Sequence, residues 1–406
     1  MGLQVNGKGP MAFRYQPLIA TARVALCFFL SVVPLAETVC ASSNVCVALK
    51  AGGGEPASDL HFGRPVRIAD RQGTFALGEP IAGVLDGSGG LFIADGANLR
   101  VVAFSKEGKP LRRFGGRGRG NGRFLQISAM ALVGRNRLGI VDHARGIFSL
   151  WNGFGELLSE RPLGEDIFHV RRMTLLDTDE FAVLEEAGSP EDRGWVLNVR
   201  DAITLRVRSR VANLDPALER SSHLARPLLT LDPGELAVSR DVVVFAPRYY
   251  EGELYRFERG RSGLWRGPMT IDGCRPSSDA VHAVSFETAP SDEGPYGYYL
   301  RSLGAGGVSE VGVAHETLAV IPTAAGEFVH MATVLEEDKR YFVVQRIAGD
   351  GQLESVWIEK TLTAEMAKHW PRPRVLASAG GRRVVMLKRV DRWLYPEVRI
   401  YETDLD

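Results

Sequence analysis

Leu91 to Phe114 reads LFIADGANLRVVAFSKEGKPLRRF, and Leu138 to Arg161 reads LGIVDHARGIFSLWNGFGELLSER. Aligned without gaps, Ile93 meets Ile140, Asp95 meets Asp142, Phe104 meets Trp151 and Gly108 meets Gly155, at a constant offset of 47 residues. Each unit alternates apolar and polar residues with a period of two, the pattern of a strand. Each turns at Asp95–Arg100 or Asp142–Gly146, and again at Glu107-Gly108 or Phe154-Gly155. Another apolar strand lies upstream, Ile81–Leu85 in one case and Ile127–Val133 in the other. One unit is therefore four short strands in about 45 residues, which is the sequence signature of a propeller blade.

Weaker units follow with the same rhythm. Met173–Leu176, Phe181–Leu184, Trp195–Val199 and Leu205–Val211 make a third. Leu236–Val238, Val242–Phe245, Glu253–Phe257 and Leu264–Met269 make a fourth. A fifth contains Phe328–Val334, Tyr341–Ile347 and Leu353–Ile358. The last shows three strands only, Arg374–Ala377, Arg383–Lys388 and Val398–Tyr401, and the segment around Pro65–Ala69 can supply the fourth. Pairing a strand from each terminus removes an exposed edge. Residues 280–322 fit either the front of blade five or an additional blade, so six blades are expected and seven stay in reserve. Helical patterns are confined to Asp215–Arg226 and Leu362–Trp370, both between blades.

Composition agrees with an all-β chain. Of 406 residues, 45 are Gly and 21 are Pro, which favours many turns. Lys plus Arg equals Asp plus Glu at 49 each, which argues against a dedicated nucleic-acid binder. Upstream of the repeats, Lys8, Arg14 and Arg23 precede the uncharged run VALCFFLSVVPLA at 24–36. That run is too short to span a bilayer and suits the apolar core of a signal peptide. Small residues after it suit cleavage between Ala41 and Ser42, the alternative being an uncleaved N-terminal anchor. The expected organisation is a signal peptide over 1–41, a linker over 42–57 and a propeller over 58–406, with the mature protein periplasmic or secreted. Cleavage removes Cys27 and Cys40 and leaves Cys46 and Cys274. In an oxidising compartment the two either pair or leave Cys46 as a free or partner-linked thiol.

Glu79–Phe124 resembles an NHL repeat. The match rests on Pro80, Leu91-Phe92-Ile93-Ala94-Asp95, Asn98, Arg100-Val101, Phe104, Gly108, Phe114-Gly115, Gly118, Gly120, Gly122 and Phe124. In the second unit Arg145 and Gly146 replace the expected Asn-x-Arg. The resemblance implies the six-bladed propeller of exported bacterial proteins, mostly uncharacterised or binding proteins, and implies fold more than activity.

Candidate binding residues lie at the turns. Asp95, Asn98 and Arg100 hold the first, and Asp142, His143 and Arg145 the equivalent one. Such turns sit on the face where propeller ligands bind, yet Asp and Asn also bond their own turn backbone without a ligand. Arg112–Arg123, RRFGGRGRGNGR, reads either as an RGG-like RNA segment or as the glycine-rich connection between blades with arginines on its rim. Repeat position and export favour the connection, with Arg117, Arg119 and Arg123 available to a carboxylate or phosphate. His169, Arg171 and Arg172 open the third unit and extend the same positive rim.

Enzyme signatures are sparse. Asp86–Gly90 is a hairpin turn rather than a nucleophile elbow, and His315-Glu316 lacks the second histidine of a zincin. Lactonase-like propellers hold a divalent cation on their axis through dispersed carboxylates, and only Glu79 and Asp177 suggest themselves by position. The reading is thus a non-catalytic binding propeller with no cofactor, no metal and no nucleic-acid partner. It acts as a monomer, and its partner is a protein or a small anionic ligand. The alternative is a metal-dependent hydrolase or lyase on the same fold.

Overall fold

The computed structural model describes residues 66–68, 74–134, 136–187, 194–219, 221, 224–229, 232–276, 278–284, 299–304, 307–336, 339–359, 374–379, 383–388 and 397–402. Blade one is β2 (Pro80–Leu85), β3 (Leu91–Asp95), β4 (Arg100–Phe104) and β5 (Pro110–Gly115), paired in that order. Blade two is β6 (Ile127–Val133), β7 (Arg137–Asp142), β8 (Ile147–Asn152) and β9 (Leu157–Pro162). Blade three runs from β10 (Ile167–Asp177) through β11 (Glu180–Ala187) and β12 (Trp195–Asp201) to β13 (Val207–Asn213). Blade four is β14 (Gly234–Ser239), β15 (Val242–Pro247), β16 (Glu253–Arg259) and β17 (Trp265–Asp272).

Residues 280–322 serve two purposes. β21 (Glu316–Pro322) is the innermost strand of blade five, before β22 (Phe328–Glu336), β23 (Lys339–Ile347) and β24 (Leu353–Glu359). Before it, β18 (Val281–Val284), β19 (Tyr299–Gly304) and β20 (Gly307–Val313) form a separate three-stranded sheet. Val281, Val311 and Val313 of that sheet pack with Leu214, Ala217 and Leu228 around two single-turn helices, Asp215–Leu218 and Arg226–Leu229. The extra sheet is thus a lateral insertion and not a seventh blade. The single helix expected over 215–226 is broken into these two turns, and the one expected over 362–370 lies outside the described residues.

Blade six is β25 (Arg374–Ala379), β26 (Arg383–Lys388) and β27 (Glu397–Glu402), completed by β1 (Val66–Ile68). β1 pairs antiparallel to β27, with Val66 opposite Ile400 and Ile68 opposite Val398. The ring therefore closes by joining the two ends of the described chain.

Each innermost strand lies beside the next, in the cycle β2, β6, β10, β14, β21, β25 and back to β2. Between blades the core divides into six apolar clusters, one per interface among the described residues. Val385 and Ile400 of blade six, for example, meet Leu91, Ile93 and Phe104 of blade one. Phe92, Ala94 and Val101 then meet Ile127, Leu138 and Trp151 of blade two.

This sandwiching corrects the expected alternation. β3 is buried at all five positions and β4 at four of its five, because both faces of these strands meet a neighbouring blade. The outermost strands β5 and β9 have no fully buried position, because one face of each meets solvent. Phe104, Trp151 and Phe257 are buried packing residues, as their strand positions imply. Trp357 lies on β24.

Candidate binding face at the channel mouth

In every complete blade the turn between the second and third strands lies at the same end as the connection into the next blade. That end is called the upper face below. The first two turns are built alike. Asp95 is fully buried at the end of β3, and its Oδ1 accepts the amides of Gly78 at 3.1 Å and Glu79 at 3.0 Å. The side chain of Asn98 donates to Oδ2 at 2.7 Å. Arg100 adds a 3.4 Å bond to the same oxygen and donates to the carbonyls of Thr74 and Ala76 at 2.9 and 2.5 Å. One carboxylate thus staples the incoming chain to the turn.

Asp142 repeats the arrangement. It accepts the amides of Leu125 at 2.8 Å, Gln126 at 3.0 Å and Arg145 at 3.1 Å. Here Arg145 leaves the aspartate and forks onto Glu160 at 2.9 and 3.2 Å, while also donating to the carbonyl of Arg123. Of the predicted site residues, then, Asp95, Asn98, Arg100, Asp142 and Arg145 hold the backbone together.

The connection between these blades is ordered. Gly115, Gly116, Gly118 and Gly122 all have positive φ, a conformation that costs glycine little. Amide bonds from Gly118 to Phe124 and from Phe124 to Gly116 close the loop at 3.0 and 2.9 Å. Phe114 and Phe124 anchor it on Trp151, with ring centres 4.8 and 5.8 Å away. A Cβ at Gly122 would come within 3.1 Å of that indole. Arg117, Arg119 and Arg123 remain exposed on this loop. Arg123 donates to the carbonyl of Gly115 at 3.0 Å, and none of the three makes an ion pair among the described residues.

His143 and His169 stack with ring centres 4.5 Å apart, which joins the second turn to the start of β10. Burial, reinforced by the neighbouring His143 and Arg171, pushes the His169 imidazole down to about 4. It is therefore neutral near pH 7. The structure thus brings the predicted groups of blades one to three along one arc of the upper face.

Arg171 and Arg172 lead inward to a group that sequence reasoning missed. Arg172 forks onto Glu235 through two bonds of 2.8 Å and reaches Asp232 at 3.4 Å. Arg248, almost fully buried, reaches Asp232 at 3.0 Å, Glu235 at 2.5 Å and Glu316 at 3.7 Å, and donates to the carbonyl of Thr317 at 2.7 Å. Arg171 touches Asp232 at 3.4 Å. Three arginines therefore face three carboxylates drawn from blades three, four and five. Burial alone would raise the Glu235 carboxyl, and Arg172 and Arg248 overcome that and hold it below the ordinary range. The only sequence signal for this group was a charged residue, Arg172 or Glu235, interrupting an apolar innermost strand.

Below these ions opens a channel of about 360 Å³ lined by all six innermost strands. The carboxylates near it do not suit a catalytic cation. Asp232, Glu235 and Glu316 are matched by guanidinium groups. Glu79 precedes β2 at the upper end, whereas Asp177 terminates β10 at the lower end, and innermost strands run the same way. Among the described residues no group of three or more His, Cys, Asp or Glu side chains is arranged to hold a metal ion.

Comparison with known proteins adds fold. No family model and no curated protein matches the chain. A protein of Bacteroides fragilis inferred to be exported superposes with a TM-score of 0.50 at 12% identity, covering 85% of this chain and 95% of its own. A DUF4221 family member of Bacteroides vulgatus gives 0.50 at 8%, covering 86% and 98%. A calcium-binding regucalcin of Agrobacterium tumefaciens gives 0.45 at 10%, covering 85% and 96%. The six-bladed propeller described above agrees with the first two. Among the described residues no helix is long and apolar enough to cross a membrane.

Proposed function

We propose that this chain is an exported, NHL-like, non-catalytic propeller that binds an anionic protein or small anionic ligand on its upper face, as a monomer and without nucleic acid. The observation that carries the reading is the trio Arg117, Arg119 and Arg123, exposed and not ion-paired among the described residues, on an ordered loop. Other arginines of that face are committed, Arg100 to carbonyls, Arg145 to Glu160, and Arg172 and Arg248 to the carboxylates of the channel mouth. Guanidinium groups suit carboxylates and phosphates because they donate in pairs. Each exposed contact contributes no more than about 1 kcal/mol, so the three must act together.

Export is supported by the leader pattern and by the disulfide at Cys274, since such bonds persist in oxidising compartments. The other three cysteines of the chain lie outside the described residues. The test replaces Arg117, Arg119 and Arg123 together with alanine and compares salt elution from a sulfated-polysaccharide matrix. We expect an unchanged thermal midpoint and elution at clearly lower salt. Co-elution with the parent protein would overturn the reading.

A further inference from the structure

The geometry points to a second site inside the channel, for an unbranched aliphatic monocarboxylate of medium length, its carboxylate on Arg171 and its tail along the channel wall. Most residues along the wall have apolar side chains, Ile81, Val84, Leu132, Leu175, Val320 and Val375 among them, beside polar surface from Ser128, Thr174 and the charged residues of the upper end. At about 360 Å³ the cavity falls within the range of about 300–1,000 Å³ typical of small-molecule sites. Its upper end is not apolar, because Arg171, Arg172 and Glu235 also line it.

These ions are unequally satisfied. Arg172 and Arg248 each have several short bonds, whereas Arg171 has one ion-pair contact at 3.4 Å. Its Nε is buried and finds no acceptor among the described residues. A buried donor without a partner is costly, and an oxygen acceptor arriving in the channel relieves that cost. The guanidinium edge at Nε matches a carboxylate.

The same surroundings limit the charge of the ligand. Asp232 sits 3.4 Å from Arg171, with Glu235 beside it, so a dianion such as phosphate is repelled where a monoanion is accepted. A ligand with one negative head and an apolar body fits the arginine at the upper end and the apolar side chains along the wall.

Equilibrium dialysis and calorimetry with decanoate and decanol test the site. We expect one decanoate per chain, bound at least tenfold more tightly than decanol. Arg171→Met should weaken decanoate at least tenfold and leave decanol unchanged. Ser128→Phe, which fills the channel from β6, should abolish both. The triple alanine variant at Arg117, Arg119 and Arg123 should bind decanoate like the parent, which separates this site from the rim. The inference is overturned if the parent shows no saturable decanoate uptake or does not prefer it to decanol. It is also overturned if Ser128→Phe or a folded Arg171→Met binds decanoate unchanged, or if the rim variant loses it. Should Arg171→Met fail to fold, the preference of the parent protein and the Ser128→Phe result still decide.

Discussion

On one side of the ring a single carboxylate fastens each upper turn. Asp95 in blade one and Asp142 in blade two each accept the amides of the chain arriving from below. On the other side, blades three, four and five are fastened to one another by a knot in which Arg172, Arg248, Asp232, Glu235 and Glu316 share their charges. The first device is local and can be copied blade by blade. The second is dispersed, and no member keeps its meaning without the others. The difference predicts that damage to the knot spreads across blades while damage to a clamp stays within one.

The largest effect should follow from removing Arg248. Arg248→Met leaves Asp232, Glu235 and Glu316 short of a cation in a buried setting, and stability should fall by about 3–5 kcal/mol. Urea denaturation checks this. A change under about 1 kcal/mol would show that the knot is solvated and contributes little.

The clamps should cost less. Asp95→Ala strands the amides of Gly78 and Glu79, with an expected loss of about 1–3 kcal/mol, and Asp142→Ala should match it. Because the clamps share no partner, their double variant should add to within about 0.5 kcal/mol. Marked non-additivity would mean that the two blades act as one unit and that their clamps are not local devices.

A response to acid should also appear. His330 is fully buried between Thr317, Gln345 and Tyr250, and burial pushes its imidazole down to about 3. The unfolded chain takes up that proton near pH 6.5, so stability is complete above pH 6.5 and falls as pH drops toward 3. The slope for one such proton is about 1.4 kcal/mol per pH unit. Between pH 6 and 4, His330→Asn should show a shallower decline than the parent. An identical slope would assign the acid response elsewhere, with His169 the next candidate.

The two sides also differ in how well the sequence announces them. Asp95 and Asp142 recur at a fixed offset within matching strands, so their turns, their blade order and the glycine-rich connection are all legible. Their buried state is not, because nothing in the spacing tells that the incoming amides end on them. The knot has no spacing at all. Arg172 and Glu235 belong to different blades and meet only because innermost strands converge on the axis. Glu316 reads beside His315 as half of a motif whose second histidine is missing, while its actual neighbour, Arg248, lies in the preceding blade's turn. Residues 280–322 are ambiguous in sequence for a related reason. An apolar strand in an inserted sheet and one in a blade obey the same pattern, and only the neighbours distinguish them.

The pairing of Val66 with Ile400 sets an order of events. The strand that finishes the last blade is the first of the described strands to be made, so it must wait without its partner while nearly the whole domain emerges. At synthesis rates of about 5–20 residues per second, that wait is on the order of tens of seconds. Until then blades one to five can form between neighbours, but the ring stays a horseshoe with an open edge at each tip. Such edges invite pairing with other chains. The period of greatest risk for this protein is therefore the interval just before its last strand arrives, and a chain shortened by even that one strand would never leave it.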